Sequence, residues 1–71
     1  MNAYNYKELR EKALSTTATT ENRLELFNWM EQYAMNEWNG ECFDIDEGLS
    51  LYPIYEINDD DEINLIDAEI K

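Results

Sequence analysis

Carboxylates are the side chains of this sequence whose number and spacing could carry chemistry. The chain has 17 acidic residues and a formal net charge of −12 at pH 7. Fourteen of them, the 17 less Glu8, Glu11 and Glu21, lie between Leu24 and Ile70, a stretch without lysine or arginine. Like charge at this density costs stability through self-repulsion. It is tolerated for solubility, for cation binding or for contact with a basic partner.

The side chains that usually perform catalysis are scarce. Histidine is absent, so the usual general base near neutral pH is missing. Ser15 and Ser50 have no adjacent base, and Cys42 has no cationic neighbour in sequence to lower its pKa. Asp44 and Asp46 could act as a glycosidase-type pair, but acids this abundant form such pairs by chance. We therefore expect no enzyme and no cofactor.

One acidic stretch has the composition of a calcium loop but not its spacing. An EF-hand loop needs glycine at its sixth position and a bidentate glutamate at its twelfth. Counted from Asp44, glycine is fifth and Tyr55 is twelfth, and no glycine follows the acids of 59–62. We expect no metal site, only weak association of divalent cations with residues 59–62. A divalent-cation binder stays as a third, weaker alternative.

Length and composition indicate a single small acidic domain over residues 1–71. A hydrophobic fraction of 44% and an aromatic fraction of 13% are typical of a folded chain. Cys42 is the only cysteine, which excludes an internal disulfide and suits a reducing cytoplasm. The N-terminus lacks a signal-peptide pattern, and no apolar run approaches the roughly 20 residues of a membrane span. Because anionic lipid and nucleic acid would repel this charge, we expect neither as a direct partner.

Two helices are predicted in the first half of the chain. Apolar residues recur at helical spacing over 4–14 and again over 21–36. Thr19 or Thr20 is expected to cap the second helix, because a hydroxyl can accept a hydrogen bond from its free amides. Asn36 is expected to end that helix.

The apolar period changes from helix to strand in the second half. An Asn-Gly pair at 39–40 predicts a turn. Phe43 and Ile45 then alternate with other residues as in a short strand. A second turn at 46–48 leads into a longer alternating strand at 49–57.

The last elements complete a sheet. Pro53 lacks an amide hydrogen, so its strand is expected to lie at an edge there or to be bulged. After an acidic loop at 58–62, a strand is predicted at 63–70, where the apolar phase slips between Leu65 and Ile66 as at a bulge or a register change. The expected fold class is α+β, with two N-terminal helices packed on a three-stranded antiparallel β-meander.

The carboxylates without nearby cations favour a protein that binds a basic surface. Ordinary soluble surfaces intersperse both signs of charge. Rows of carboxylates on a rigid domain can approximate the phosphates of a nucleic acid and occupy a Lys/Arg groove through electrostatic steering and counterion release. The expected contact residues are Glu31, Glu37, Asp44, Asp46, Glu47, Asp59, Asp60, Asp61 and Glu62, with Trp38 or Tyr52 as an apolar anchor.

Two segments resemble a known group of proteins. Trp-Asn-Gly-Glu-Cys-Phe-Asp at 38–44, followed by Leu-Tyr-Pro-Ile-Tyr at 51–55, resembles a pattern of small acidic proteins from phages and other bacterial mobile elements, over residues 4–57. Size and charge also resemble the DNA-mimic inhibitors of that origin, the anti-CRISPR and anti-restriction proteins. The resemblance implies an inhibitor in the bacterial cytoplasm whose target is a CRISPR effector or a restriction enzyme. Because fold varies within these groups, it assigns no functional residue.

A different class of function stays open beside this one. The chain could be a structural or regulatory interaction module that binds through exposed aromatic residues and an open sheet edge, with a homodimer as one form. Salt separates the two hypotheses, since carboxylate mimicry weakens steeply with ionic strength and an apolar interface does not.

Overall fold

Two helices precede a three-stranded antiparallel sheet. The computed structural model describes the backbone of residues 3–71 and the side chains from residue 6 onward. The elements are α1 (Ala3–Leu14), α2 (Thr20–Tyr33), a short 3-10 helix (Met35–Glu37), β1 (Phe43–Asp46), β2 (Leu49–Ile57) and β3 (Ile63–Ile70). The order in the sheet is β1-β2-β3. This is the α+β architecture predicted from the sequence.

Thr19 starts α2 and confirms the predicted cap. Its hydroxyl accepts a hydrogen bond from the Asn22 amide at 3.2 Å, and the Asn22 side chain accepts one from the Thr19 amide at 3.1 Å. This reciprocal pair satisfies two amides that the helix leaves free. Glu21 lies in the same first turn, where the helix dipole favours an anion.

The end of α2 differs from the sequence-based expectation. The helix ends at Tyr33 rather than at Asn36, which lies inside the 3-10 helix. Ala34 leaves the helical conformation at φ −137° and ψ 38° while its amide still donates to the Met30 carbonyl at 2.8 Å. The chain turns here, and Trp38 packs against the core. Tertiary packing therefore ends the helix one turn earlier than the local pattern does.

β2 is central in the sheet over its first residues only. β1 pairs with Leu49–Leu51, whereas residues 52–57 pair with β3 alone among the described strands. Pro53 pairs with Ala68 just beyond the last β1 partner. Of the two alternatives predicted for Pro53, an edge position or a bulge, the structure shows the edge position, and the missing amide hydrogen costs no ladder bond there.

The predicted phase slip in the last strand is a bulge. Ile54 pairs with Asp67 and Tyr55 pairs with Leu65, which leaves Ile66 as the extra residue in β3. Leu65 and Ala68 are three positions apart, so in a regular strand they would face opposite sides of the sheet. Because the bulge shifts the phase, Ala68 is buried in the core and Leu65 packs against the same core.

The core lies between the helices and the β1 end of the sheet. Its buried members are Ala13, Leu26, Phe27, Met30, Phe43, Ile45, Leu51 and Ala68. The rings of Phe27 and Phe43 meet edge to face with centroids 5.2 Å apart, a favourable aromatic geometry. Leu51 is the one fully buried residue of β2, and residues 54–57 of the same strand are exposed.

Candidate functional site

The cations are confined to a small part of the fold. Lys7, Arg10 and Lys12 lie on α1, Arg23 lies in α2, and Lys71 ends the chain. Three of the fourteen carboxylates between Leu24 and Ile70, here called the acidic stretch, pair with these cations. The pairs are Asp46 with Arg10, Asp67 with Arg23 and Glu69 with Lys71. The other eleven of the fourteen have no cationic partner among the side chains described. This uncompensated charge is the main chemical feature of the surface.

Asp46 is less available to a partner than predicted. It forms an ion pair with Arg10 of α1, and one of its oxygens accepts the Glu47 amide at 2.8 Å. The Glu47 amide, followed by Arg10, holds the pKa of Asp46 below its ordinary value. Asp46 is therefore an anion whose charge Arg10 largely offsets, and its first role is to tie β1 to α1.

Three predicted carboxylates meet around one cleft. Glu37 of the 3-10 helix, together with Asp44 and Asp46 of β1, lines a cavity of about 440 Å³. Tyr6 and Trp29 also line it, with ring centroids 5.0 Å apart. Apolar surface rimmed by carboxylates suits a cationic side chain with an aliphatic stem, such as lysine or arginine.

Tyr6 fixes the geometry of this cleft. Its hydroxyl donates to the Ile45 carbonyl at 2.9 Å and so joins α1 to β1 across 39 positions of sequence. Burial raises the pKa of Tyr6 above its ordinary value, although the nearby Arg10 acts in the opposite direction. The hydroxyl therefore stays protonated at neutral pH and remains a donor.

Glu31 and Trp38 lie at a second, smaller cavity. Its volume is about 190 Å³, and the other lining residues are Phe27, Met35, Phe43 and Tyr55. Trp38 is partly buried against Phe27 and Phe43, with centroids 6.4 and 4.9 Å away. Trp38 therefore packs mainly against the core. Met35 and Tyr55 are the more exposed apolar residues of this cavity, with exposed fractions of 55% and 53%.

Tyr52 lies on β2 opposite Glu69 of β3. The Lys71 ammonium lies 5.1 Å from its ring centroid, within the range of a cation–π contact. Hydrogen bonding with the side chain of Cys42 raises the pKa of Tyr52 above its ordinary value. Because Tyr52 is half-buried, only part of its ring is available to contact a partner.

The predicted acidic loop forms a compact turn at the tip of the β2–β3 hairpin. The Asn58 side-chain oxygen accepts the amides of Asp60 and Glu62 at 2.9 and 3.0 Å. Asp61 takes a positive φ of 61°, a conformation that aspartate tolerates better than most residues. The four carboxylates of 59–62 are exposed. The turn thus holds four uncompensated charges on an ordered backbone.

The predicted contact residues fall into separate groups rather than one patch. Glu37, Asp44 and Asp46 surround the larger cleft, Glu31 and Trp38 line the smaller cavity, and 59–62 form the hairpin tip. Glu47 lies in the exposed turn between β1 and β2. Sequence reasoning missed Met35 and Tyr55 as exposed groups, since Met35 falls in the predicted helix and Tyr55 shares a strand phase with buried Leu51.

Two further geometric findings concern the described part of the chain. No group of three His, Cys, Asp or Glu side chains there is arranged to hold a metal ion. Neither helix there is long and apolar enough to cross a membrane.

Comparisons with protein-family models, with curated proteins and with solved structures find no match for this chain.

Proposed function

We propose that this chain is a non-enzymatic inhibitor that binds the basic, nucleic-acid-binding surface of a bacterial defence nuclease complex. It would act in the cytoplasm of the host cell by occupying the surface that nucleic acid uses. The observation that carries this proposal is the set of eleven carboxylates without a cationic partner among the described side chains. The resemblance to phage-encoded inhibitors extends it to a CRISPR effector or a restriction enzyme as the target.

The placement of the acids supports mimicry better than simple solubility. Glu37 and Asp44 are held by different elements around one cleft, and the loop acids sit on an ordered turn. Charges fixed before binding lose little conformational freedom when the partner arrives. The lysines and arginines of a partner that normally bind phosphates could bind these carboxylates instead, because both groups accept charge-assisted hydrogen bonds in similar geometry.

A charge-reversal pair tests this function. The double variant Asp59→Lys/Asp60→Lys changes the net charge by +4 at the hairpin tip, where neither side chain makes an ion pair among those described. Glu8→Lys/Glu11→Lys makes the same change on the exposed face of α1, outside the acidic stretch. The measured quantity is the concentration of chain that halves DNA binding by a purified CRISPR effector or restriction enzyme.

The two variants should behave differently if the acidic stretch is the contact surface. The tip variant should need at least tenfold more protein for the same inhibition, because two attractive contacts become repulsive. The α1 variant should stay within about threefold of the parent, since net charge acts only weakly at a distance in salt. Equal losses would show that the tip has no special role. Lack of inhibition by the parent itself would argue against the proposal for that nuclease.

A second candidate function is supported by the exposed apolar end of the hairpin. Tyr55 is 53% exposed, and Ile57 and Ile63 are about two thirds exposed. An interaction module or a homodimer would bury these side chains against a partner. Such binding should persist at high salt, and a homodimer should double the mass measured by sedimentation equilibrium.

A further inference from the structure

We propose that the free edge of β2 at residues 53–57 binds an extended, basic segment of a partner protein as an added strand. The proposal rests on the proposed function in one respect, that the partner is basic. It adds a contact through the backbone that charge mimicry alone does not require. The occupant is thereby specified by backbone conformation as well as by charge.

Backbone hydrogen bonds show which groups of β2 face the open side. Ser50 and Lys71 exchange two bonds of 3.0 Å, so they form a hydrogen-bonded pair of the antiparallel ladder. Such pairs alternate with pairs whose backbone groups point outward. Pro53, three positions from Ser50, therefore faces away from β3, toward the side where β1 has already ended.

The same alternation holds beyond the bulge. The Asn58 amide donates to the Glu62 carbonyl at 3.0 Å, which makes this pair the bonded end of the ladder. Ile57 and Tyr55, one and three positions before Asn58, then direct their amides and carbonyls outward. No described strand pairs with β2 on that side past Leu51. An incoming strand would meet two free donors there and the acceptors between them.

A cavity lies beside this edge on the helix-facing side of the sheet. Tyr55 lines it together with Met35 and Trp38, and its volume is about 190 Å³. Side chains of a β-strand alternate between faces, so every second residue of an added strand would point toward this cavity. The edge thus supplies hydrogen bonds, and the cavity supplies a place for an apolar side chain.

Charge decides which occupant fits. Glu31 lines the cavity, Glu56 lies on the edge strand, and the acids of 59–62 follow at the tip. Between Leu24 and Ile70 there is no lysine or arginine to balance them. A second copy of this chain would bring another net charge of −12 to the same edge. A strand with lysine or arginine beside apolar residues is therefore favoured over self-pairing.

The other sheet edge is a poorer template. β3 is interrupted by the bulge at Ile66, and bulges are a common means of blunting an edge. β3 also packs against α2, to which Asp67 is joined through Arg23. The β2 edge lacks both features over Tyr55–Ile57.

The test uses a synthetic peptide of alternating lysine and valine as the probe. Its binding to the intact chain is measured by titration calorimetry, and amide hydrogen exchange is followed by NMR. The proposal expects the Tyr55 and Ile57 amides to slow in exchange when the peptide binds. A contact made by charge alone would leave these amides as exposed as before.

Matched proline variants locate the edge. Ile57→Pro removes an outward amide from β2, and Ile63→Pro removes one from its cross-strand partner on β3. The two isoleucines are 67% and 66% exposed, so the side-chain loss is the same. Peptide affinity should fall about five- to tenfold for Ile57→Pro, as expected for one lost hydrogen bond, and stay near the parent value for Ile63→Pro.

A peptide methylated on alternate amide nitrogens keeps the test valid if a proline variant unfolds. Two such peptides are made, one methylated along each edge, and each retains its charge but cannot donate hydrogen bonds from the methylated edge. The peptide whose methylated edge faces β2 should no longer protect the amides of the unchanged chain. Equal binding of all peptides and variants without protection would overturn the proposal and leave charge mimicry standing. Protection of the Tyr55 and Ile57 amides without any peptide, together with dimer formation, would also overturn it, because a second copy would be the occupant.

Discussion

The guanidinium of Arg23 contacts both carboxylate oxygens of Asp67, with nitrogen–oxygen distances of 3.1 and 3.3 Å. This contact joins the start of α2 to the bulged region of β3 across 44 positions of sequence. It also removes one of the few cations from the surface that a partner could meet. Because the pair consists of one cation and one carboxylate, it leaves the net charge of −12 unchanged and offers no cation to the other acids of the sheet.

The Arg23–Asp67 contact predicts a pH-dependent contribution to stability. Hydrogen bonding by Arg23 is the main cause that holds the pKa of Asp67 below its ordinary value of 3.8. The contribution is therefore fully present above about pH 4 and is lost as the pH falls through the lowered, folded-state pKa. Asp67→Asn should lower the free energy of unfolding by about 1 kcal/mol or less at pH 7, because the pair is partly exposed.

Urea unfolding of both proteins between pH 7 and pH 2 checks this prediction. The difference between parent and Asp67→Asn should shrink as the pH falls through the lowered pKa of Asp67, because the parent carboxyl then becomes neutral as well. A difference that stays constant over the whole range would mean that Asp67 stabilises the fold through packing rather than through its charge.

Thr19 should contribute to stability through its cap. Thr19→Ala removes the hydroxyl that accepts the Asn22 amide and should lower the free energy of unfolding by about 1 kcal/mol. Thr16→Ala, in the exposed turn before it, is the matched control and should change it by less than about 0.5 kcal/mol. Equal effects in chemical denaturation would contradict the capping role.

The aromatic core should tolerate little change. Phe43 is fully buried and touches the rings of Phe27 and Trp38, so Phe43→Ala should cost about 3–5 kcal/mol. In a domain of this size, that loss leaves much of the protein unfolded. Ile57→Ala, at a position 67% exposed, should cost less than about 0.5 kcal/mol. Circular dichroism during heating distinguishes the two, and a folded Phe43→Ala protein would contradict this view of the core.

Several elements of the fold could be predicted because their signals are local. The Thr19 cap, the edge position of Pro53 and the phase slip at Ile66 each follow from a few neighbouring residues. The end of α2 could not, since it depends on how Trp38 packs against residues distant in sequence. Local patterns thus indicated the order of elements but not where packing would end one of them.

The candidate site was less predictable from the sequence. Asp46 looks like any other acid until α1 brings Arg10, 36 positions away, into contact with it. Tyr55 shares a strand phase with buried Leu51, yet it lies beyond the last residue that pairs with β1 and is 53% exposed. Charge density can be counted in a sequence, but which charges are compensated depends on tertiary contacts.

Salt should stabilise the isolated chain. Sodium chloride screens the repulsion among the eleven carboxylates without a cationic partner in the described structure. The melting temperature should therefore rise between 10 mM and 300 mM salt. A control with Asp60→Asn should start higher and rise less, because one repulsive charge is already gone. A melting temperature that falls with salt would indicate that the three ion pairs outweigh the repulsion.

The most direct test of the central claim is whether this chain and DNA exclude each other on a defence nuclease. Labelled DNA is bound to a purified CRISPR effector or restriction enzyme, and the chain is titrated at several DNA concentrations. Mimicry predicts that bound DNA is displaced completely and that the apparent dissociation constant of the chain rises in proportion to the free DNA. A stable ternary complex, with an apparent constant independent of DNA, would contradict occupation of the nucleic-acid surface.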